Sequence, residues 1–198
     1  MKKIMFSDRY GLTQAVIEGR KTMTRRMISG GQLLPEDRIE DASICPDGFV
    51  SIIANGGESL MEVKYHYKVG EIVAVAQNYA NAFSSIRDVP VYGADRTPGW
   101  GNKMFVRADL MPHQIRITGI KCERLQDISD ADCLKEGINA SNSHEIGYGI
   151  PWVYEFAGSK MVYYTPREAF AALIDKVCRK GTWASNPWTV VYEFELVK

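Results

Sequence analysis

The segment Trp188-Thr189-Val190-Val191-Tyr192-Glu193-Phe194-Glu195-Leu196 alternates, with Trp188, Val190, Tyr192, Phe194 and Leu196 on one side and Thr189, Val191, Glu193 and Glu195 on the other. Successive side chains of an extended chain point to opposite faces, so this period of two specifies a strand with one apolar face and demands a sheet to receive it. Other segments offer partners. The run Glu71-Ile72-Val73-Ala74-Val75-Ala76 after Gly70 reads as a buried strand, and the alternating Val63 to Tyr67 is expected to pair with it. Met104 to Ala108 and Gln114 to Glu123 read as further strands separated by Met111-Pro112, and Lys3 to Phe6 as a short strand at the start.

Helices are fewer and clearly punctuated. Thr165-Pro166-Arg167-Glu168 is a capping box with proline at the first helical position, followed by Phe170, Leu173, Ile174 and Val177 at helical spacing until Gly181. Ser129 caps a short helix with Asp132 three residues on and Gly137 as its stop, which places Glu136 in the last turn. A third helix is expected to open at Ser7 or Asp8, to carry Leu12, Ala15 and Val16 on one face, and to close at Gly19. The stretch from Gly30 to Gly57, with Pro35, Pro46 and the acidic Glu36, Asp37, Glu40, Asp41 and Asp47, reads as irregular chain or short hairpins. Strands outnumber helices, and there is neither βα alternation nor an internal repeat.

Charge narrows the function classes. The 198 residues carry 24 basic and 24 acidic side chains, so no overall field attracts nucleic acid and any such contact must come from a local patch. A hydrophobic share of 45% and a charged share of 24% exclude collagen-like, coiled-coil and disordered classes, leaving one folded domain, with or without insertions, as the expectation. Cys45, Cys122, Cys133 and Cys178 form no Cys-x-x-Cys pair, and His66, His113 and His144 form no zinc pattern. Reduced thiols and no metal are expected. The N-terminal residues lack a signal-peptide core and no window approaches a membrane span, so a cytoplasmic protein without a membrane partner is expected.

The window Arg20-Lys21-Thr22-Met23-Thr24-Arg25-Arg26 is the most basic of the chain, opposed only by the preceding Glu18. Arginine forks suit phosphate oxygens, which makes the window a candidate anion contact. A solvated strand pairing with the acidic stretch after Gly30 accounts for the same charges, and spacing leaves both readings open. Glu136 is a candidate for proton transfer, because a helix C-terminus disfavours a charged carboxylate; an ordinary exposed glutamate fits as well. Of the aromatics Tyr10, Tyr79, Trp100, Trp183 and Trp188, any of which can stack on a base, Trp188 is assigned to the core along with Tyr192, while Tyr10 and Tyr79 are freer to face a ligand.

Phe6 through Arg26, ending Glu18-Gly19-Arg20-Lys21-Thr22-Met23-Thr24-Arg25-Arg26, resembles the Gly-x-Lys signature of ASCH domains, which have the PUA-like β-barrel fold. Val69-Gly70-Glu71-Ile72-Val73-Ala74-Val75, then Arg124 to Ser129 continuing through Glu136-Gly137-Ile138, and finally Trp183-Ala184-Ser185-Asn186-Pro187-Trp188 are similar to the larger ASCH proteins of phages and prophages. The resemblance implies a single α+β domain over residues 1–198, a PUA-like mixed β-barrel with short flanking helices and insertions near 30–59 and 82–101. It implies a cleft that binds RNA or a modified nucleoside, with no cofactor. Relatives in this family include small bacterial amidohydrolases acting on N4-acetylcytidine, in which a lysine and a threonine of a Gly-x-Lys-Thr-x-Thr turn work with a glutamate of the short helix.

Lys21, Thr24 and Glu136 fall on those positions. As the mechanism would transfer, a neutral, desolvated Lys21 activates Thr24 or a water, and Glu136 handles the proton passed to the leaving amine. Lys21 and Thr24 are three apart, so a turn or bulge between them is required for both to act on one substrate. The substrate contacts would be Arg20, Arg25 and Arg26 for phosphate, with Gln77 or Tyr79 for a base. Ala76-Gln77 stands where many phage relatives have Arg-Glu, and a role built on that glutamate does not carry over. The alternatives are a non-catalytic RNA-binding module on the same basic turn, a ribonuclease, and a purely structural or protein-binding role.

Overall fold

A computed structural model of the protein describes residues 1–28, 39–45, 47–57, 59–142 and 152–197. Its strands are β1 (Lys2–Ile4), β2 (Met23–Met27), β3 (Ile39–Ile44), β4 (Phe49–Ala54), β5 (Ser59–Lys64), β6 (Ile72–Val75), β7 (Gln114–Arg124), β8 (Asn139–Asn142), β9 (Trp152–Glu155) and β10 (Trp188–Leu196). The α-helices are short except for one: α1 (Leu12–Ile17), α2 (Tyr79–Ala82), α3 (Asp130–Lys135), α4 (Pro166–Val177) and α5 (Thr182–Ser185). The class is mixed α+β.

The main sheet has the order β1-β6-β7-β10-β2, with β1 parallel to β6 and the other neighbours antiparallel. Among the described residues the pairings leave β1 and β2 as edges. The alternating segment is the inner strand β10, paired with β7 from Trp188↔Arg124 to Leu196↔Ile115, with a bulge between Glu193 and Phe194. Val190, Tyr192 and Phe194 are buried as their apolar face requires, and Thr189 and Val191 of the other face are buried too. The second face is covered because α4 lies over it. Arg25, paired with Val191, places its guanidinium 5.9 Å from the Phe170 ring of α4.

The helix signals act where they stand. Thr165 Oγ1 accepts from the Glu168 N–H at 3.1 Å, the Glu168 carboxylate accepts from the Thr165 N–H at 3.2 Å, and Phe170, Leu173 and Ile174 are buried. The N-terminal helix differs from expectation. Asp8 to Tyr10 form a 3-10 turn, Gly11 adopts φ 65°, and α1 begins only at Leu12, with Leu12, Ala15 and Val16 buried.

Two strand expectations are corrected. Val63 and Lys64 end β5, which pairs with β4 (Val50↔Val63, Phe49↔Lys64) and not with the strand after Gly70. The neighbours of β6 are instead β1 and β7, since the N-terminal strand takes its free edge in parallel. A period of two names a strand without naming its partner. Met104 to Ala108 form no strand: Lys103 to Phe105 and Ala108 to Leu110 are 3-10 turns, the first opened by the Asn102 side chain accepting from the Met104 N–H. Met104 and Phe105 stand exposed there.

The stretch 30–57 was expected to be irregular or hairpins; residues 30–38 and 46 lie outside the described residues, and the rest forms β3 and β4. With β5 these make a three-stranded sheet whose Ala42, Val50 and Ile52 join the core of the main sheet. Arg124 holds it in place by donating to the Ile39 carbonyl at 2.6 Å. A second apolar cluster gathers Ala74, Ala76, Tyr79, Val89, Ala94, Val106 and Met111 under the turns that follow α2. No described helix is long and apolar enough to cross a membrane.

Candidate active site

The basic window is tied down at both ends before β2 begins. Gly19 turns the chain at φ 73°, the Lys21 N–H donates to the Ala15 carbonyl at 2.9 Å, and the Thr22 N–H donates to the Lys135 carbonyl at 2.9 Å. Lys21 therefore precedes the regular strand, and the rule that residues three apart face opposite sides does not separate it from Thr24.

Lys21 is 2% exposed. Its ammonium donates to Glu136 Oε2 at 2.6 Å and to the Glu136 carbonyl at 2.7 Å. Gly137 makes the approach possible. It adopts φ 100°, and a Cβ there would lie 3.2 Å from Leu12 and 3.6 Å from the Lys21 side chain, so the end of α3 closes over the lysine only with glycine at this position. The same ammonium lies 5.7 Å from the centre of the Phe6 ring, and the Arg26 guanidinium lies 5.9 Å from it.

The other oxygen of the carboxylate, Glu136 Oε1, accepts from Arg25 Nη1 at 3.0 Å. Arg25 is fully buried and also donates from Nε to Glu123 at 3.1 Å, with Asp132 at 3.7 Å from Nη2. Lys121 pairs with Glu123 at 2.7 Å and Lys135 with Asp132 at 3.1 Å at the rim. The carboxylate of Glu136 is thus gripped by two cations, and what it faces is these cations rather than solvent beyond the helix end. Burial pushes the Lys21 amine below the ordinary lysine range, with Glu136 opposing the shift and the nearby Arg26 and Arg25 charges adding to it. A buried amine of this kind can be neutral at lower pH than a surface lysine, which suits a general base.

Thr24 is 5% exposed, opposite Tyr192 in the register, and on the same strand face as Arg26. Its hydroxyl makes no hydrogen bond among the described residues. Of the expected residues, then, the structure joins Lys21 and Glu136 directly and places Thr24 at the start of the adjoining strand.

The expected substrate contacts divide. Arg26 is exposed and donates to the Met5 carbonyl at 2.7 Å. Arg20 is exposed but engaged by Glu18 at 2.6 Å and by Asn139 at 2.7 Å. Arg25 is no surface phosphate contact: its guanidinium is shared among three carboxylates in the interior. Among the described residues its carboxylate partners are Glu123, Asp132 and Glu136, and none comes from the acidic stretch after Gly30.

Gln77 is buried and meets the Nδ1 of His113 at 2.8 Å. It lines a polar cleft of about 340 Å³ with Thr13 and Gln14, on a different face of α1 from the Leu12 and Ala15 that approach the Lys21 side. Tyr79, expected to face a ligand, is 3% exposed, and its hydroxyl accepts from the Arg107 N–H at 3.1 Å. Gly99 is what admits it, since a Cβ there would stand 2.7 Å from the ring. Tyr10 is likewise buried, edge-on to Phe156. Both are core residues because the apolar clusters around them leave no open ring face to solvent.

One group of residues was overlooked. Lys64-Tyr65-His66-Tyr67 lines two adjoining clefts of about 480 and 750 Å³ together with Lys3. The signal was present as basic and aromatic residues interleaved along four positions, but it read as an ordinary alternating strand. Among the described residues no cluster of His, Cys, Asp or Glu suited to hold a metal ion occurs, and the four cysteines are free.

Comparisons with family models, with curated proteins and with solved structures yield no match. What fold and site define on their own is a mixed α+β protein with a buried lysine–glutamate pair at the junction of its N-terminal helix, a short capped helix and an edge strand.

Proposed function

We propose that the protein is a PUA-like ASCH protein that hydrolyses an amide on an acylated nucleoside of the N4-acetylcytidine type, with Lys21, Thr24 and Glu136 as its working groups. The observation that carries the reading is the 2.6 Å contact between Lys21 Nζ and Glu136 Oε2, made between residues 115 apart in sequence and buried on both sides. Thr24 lies three residues further along the chain, and its hydroxyl makes no hydrogen bond among the described residues.

In the reaction, the lowered Lys21 amine takes the proton of Thr24 Oγ1 as that oxygen attacks the amide carbonyl. The C–N bond then breaks, and the proton passes through the Lys21–Glu136 hydrogen bond to the departing exocyclic amine. Water, activated by the same pair, cleaves the acyl ester and returns Thr24. Arg25 on Glu136 Oε1 fixes the plane of the carboxylate, so that Oε2 stays on the lysine.

The test is chromatographic detection of cytidine released from N4-acetylcytidine, with Lys21→Met, Thr24→Val and Glu136→Gln beside the wild type and folding checked by circular dichroism. Wild-type release, with each folded variant slowed by about 100-fold or more, is the expected result. Undiminished turnover in folded Lys21→Met or Glu136→Gln, or no release by wild type from acetylated or longer-chain acylated cytidine, refutes it.

A further inference from the structure

The face of the main sheet beneath α3 and α4 carries charge in its interior. Val191 of β10 pairs with Arg25 on β2 and with Lys121 on β7, and Thr189 pairs with Glu123, so Arg25, Lys121 and Glu123 share that face. Arg25 extends across β10 to reach Glu123, and Glu136 meets it from the end of α3. Each of the two glutamates divides its oxygens between two cations. Glu123 Oε2 takes Lys121 at 2.7 Å and its Oε1 takes the Arg25 Nε–H at 3.1 Å, while Glu136 Oε1 takes Arg25 Nη1 at 3.0 Å and its Oε2 takes Lys21 at 2.6 Å. The result is a chain of alternating charge, Lys121–Glu123–Arg25–Glu136–Lys21, running from a side chain 43% exposed at the rim to one 2% exposed inside.

The middle of this chain has no donor to spare. Arg25 Nε and Nη2 meet Glu123, Nη2 also faces Asp132 at 3.7 Å, and Nη1 is shared by Glu136 and the Met23 sulfur at 3.3 Å. A guanidinium carries its five N–H groups in a fixed fork, and these contacts occupy both of its edges. Glu123 thereby keeps Arg25 to one oxygen of Glu136 and leaves the other to Lys21. Without the Glu123 charge the same guanidinium turns more fully toward Glu136, and a two-pronged grip on that carboxylate draws Oε2 away from the amine. The charges that face Lys21 are Glu136 from α3 and Arg25 and Arg26 from β2. Those that face Glu123 are Arg25 and Lys121, with Asp132 of α3 lying against the same two cations.

We infer that Glu123 is a positioning residue of the candidate active site: through Arg25 it holds Glu136 Oε2 on Lys21, and Lys121 at the rim governs how firmly it does so. The two ends of the chain act with opposite sign. Loss of the Glu123 charge leaves Arg25 leaning on Glu136, and Lys21, with less of its counter-charge, releases its proton at lower pH. Loss of the Lys121 charge frees Glu123 to satisfy Arg25, returns Glu136 to the amine, and moves Lys21 upward. Because the inner links are buried, salt does little to screen them. The inference rests on the hydrolase reading for what the Lys21–Glu136 pair does, but not for the link itself.

The test is an NMR pH titration of the full chain carrying isotope-labelled lysine, with the Lys21 signal assigned by its loss in Lys21→Met. Glu123→Gln, which keeps the shape and removes the charge, lowers the Lys21 midpoint by about half a pH unit or more, and the shift persists in about 0.5 M salt. Lys121→Gln, which disturbs only the rim, raises the midpoint by a smaller amount, and Lys121→Arg leaves it as in wild type. Glu18→Gln, which removes an exposed carboxylate held by Arg20, leaves it in place. On N4-acetylcytidine the acid limb of the turnover profile in Glu123→Gln moves to lower pH by the same amount, with KM unchanged. An unmoved midpoint in Glu123→Gln or, where that variant does not fold, in Lys121→Gln, a shift equalled by Glu18→Gln, or a shift erased by salt overturns the inference. A linked midpoint without amide turnover retires the hydrolase and keeps the charge chain; turnover with an unmoved midpoint does the reverse.

Discussion

Arg25 and Arg26 are neighbours in the chain and end in opposite surroundings. Arg25 is fully buried among Glu123, Asp132 and Glu136, whereas Arg26 is exposed at a cleft that no described carboxylate lines. The difference follows from the pleat of β2, which sends successive side chains to opposite faces. One face is covered by α3 and α4 and the other opens toward β3-β4-β5. A charge on the first face must be neutralised internally, because desolvating it alone is prohibitive, while a charge on the second remains available to a ligand. The most basic stretch of the chain is therefore divided between an interior charge cluster and an open cleft.

The largest effect expected from that contrast is on stability. Arg25→Met strands Glu136 and Glu123 with fewer partners in the interior and should cost about 3–5 kcal/mol in urea unfolding, while Arg26→Ala leaves the midpoint nearly unchanged. Equal midpoints for the two variants would abolish the distinction between the faces.

A second prediction concerns proton linkage at Lys21. Its native pKa is lowered, chiefly by burial, so between that value and the ordinary 10.5 the unfolded chain binds the proton more tightly than the folded one. Wild type should gain stability relative to Lys21→Met as pH rises through this window, and should show no such relative gain below it. A pH-independent difference would mean the lysine titrates normally.

The smallest effect lies away from both faces. Thr165→Ala removes the cap of α4 and should cost about 1 kcal/mol, without altering nucleoside turnover. A change in turnover would show that α4 positions Arg25 more tightly than its cap suggests.

Much of the local structure was legible in the residues. The Thr165 box, the Ser129 cap with its Gly137 stop, and the alternation of β10 depend on near neighbours and on a backbone period, and each appears where its residues stand. Val63 to Tyr67 shows the limit. Its alternation was visible, but the partner of β5 was decided by a hairpin with β4, and the edge of β6 by the N-terminal strand. Likewise Tyr79 looked available until Gly99 and the second apolar cluster enclosed it.

The candidate site divides in the same way. Lys21, Thr24 and Glu136 were marked by local pattern and resemblance, and Lys64 with its tyrosines lay in plain view without a reason to be chosen. Periodicity and capping are short-range properties, set by φ and ψ and by side chains within a turn, so the sequence by itself determined the alternating strand β10 and the caps of α3 and α4. Burial and pairing are long-range. Only the tertiary structure decided that Lys21 meets a carboxylate across the chain, that Arg25 is neutralised, and that Arg26 and Lys64 meet no carboxylate among the described residues, because the energy of a charge depends on what the fold packs against it.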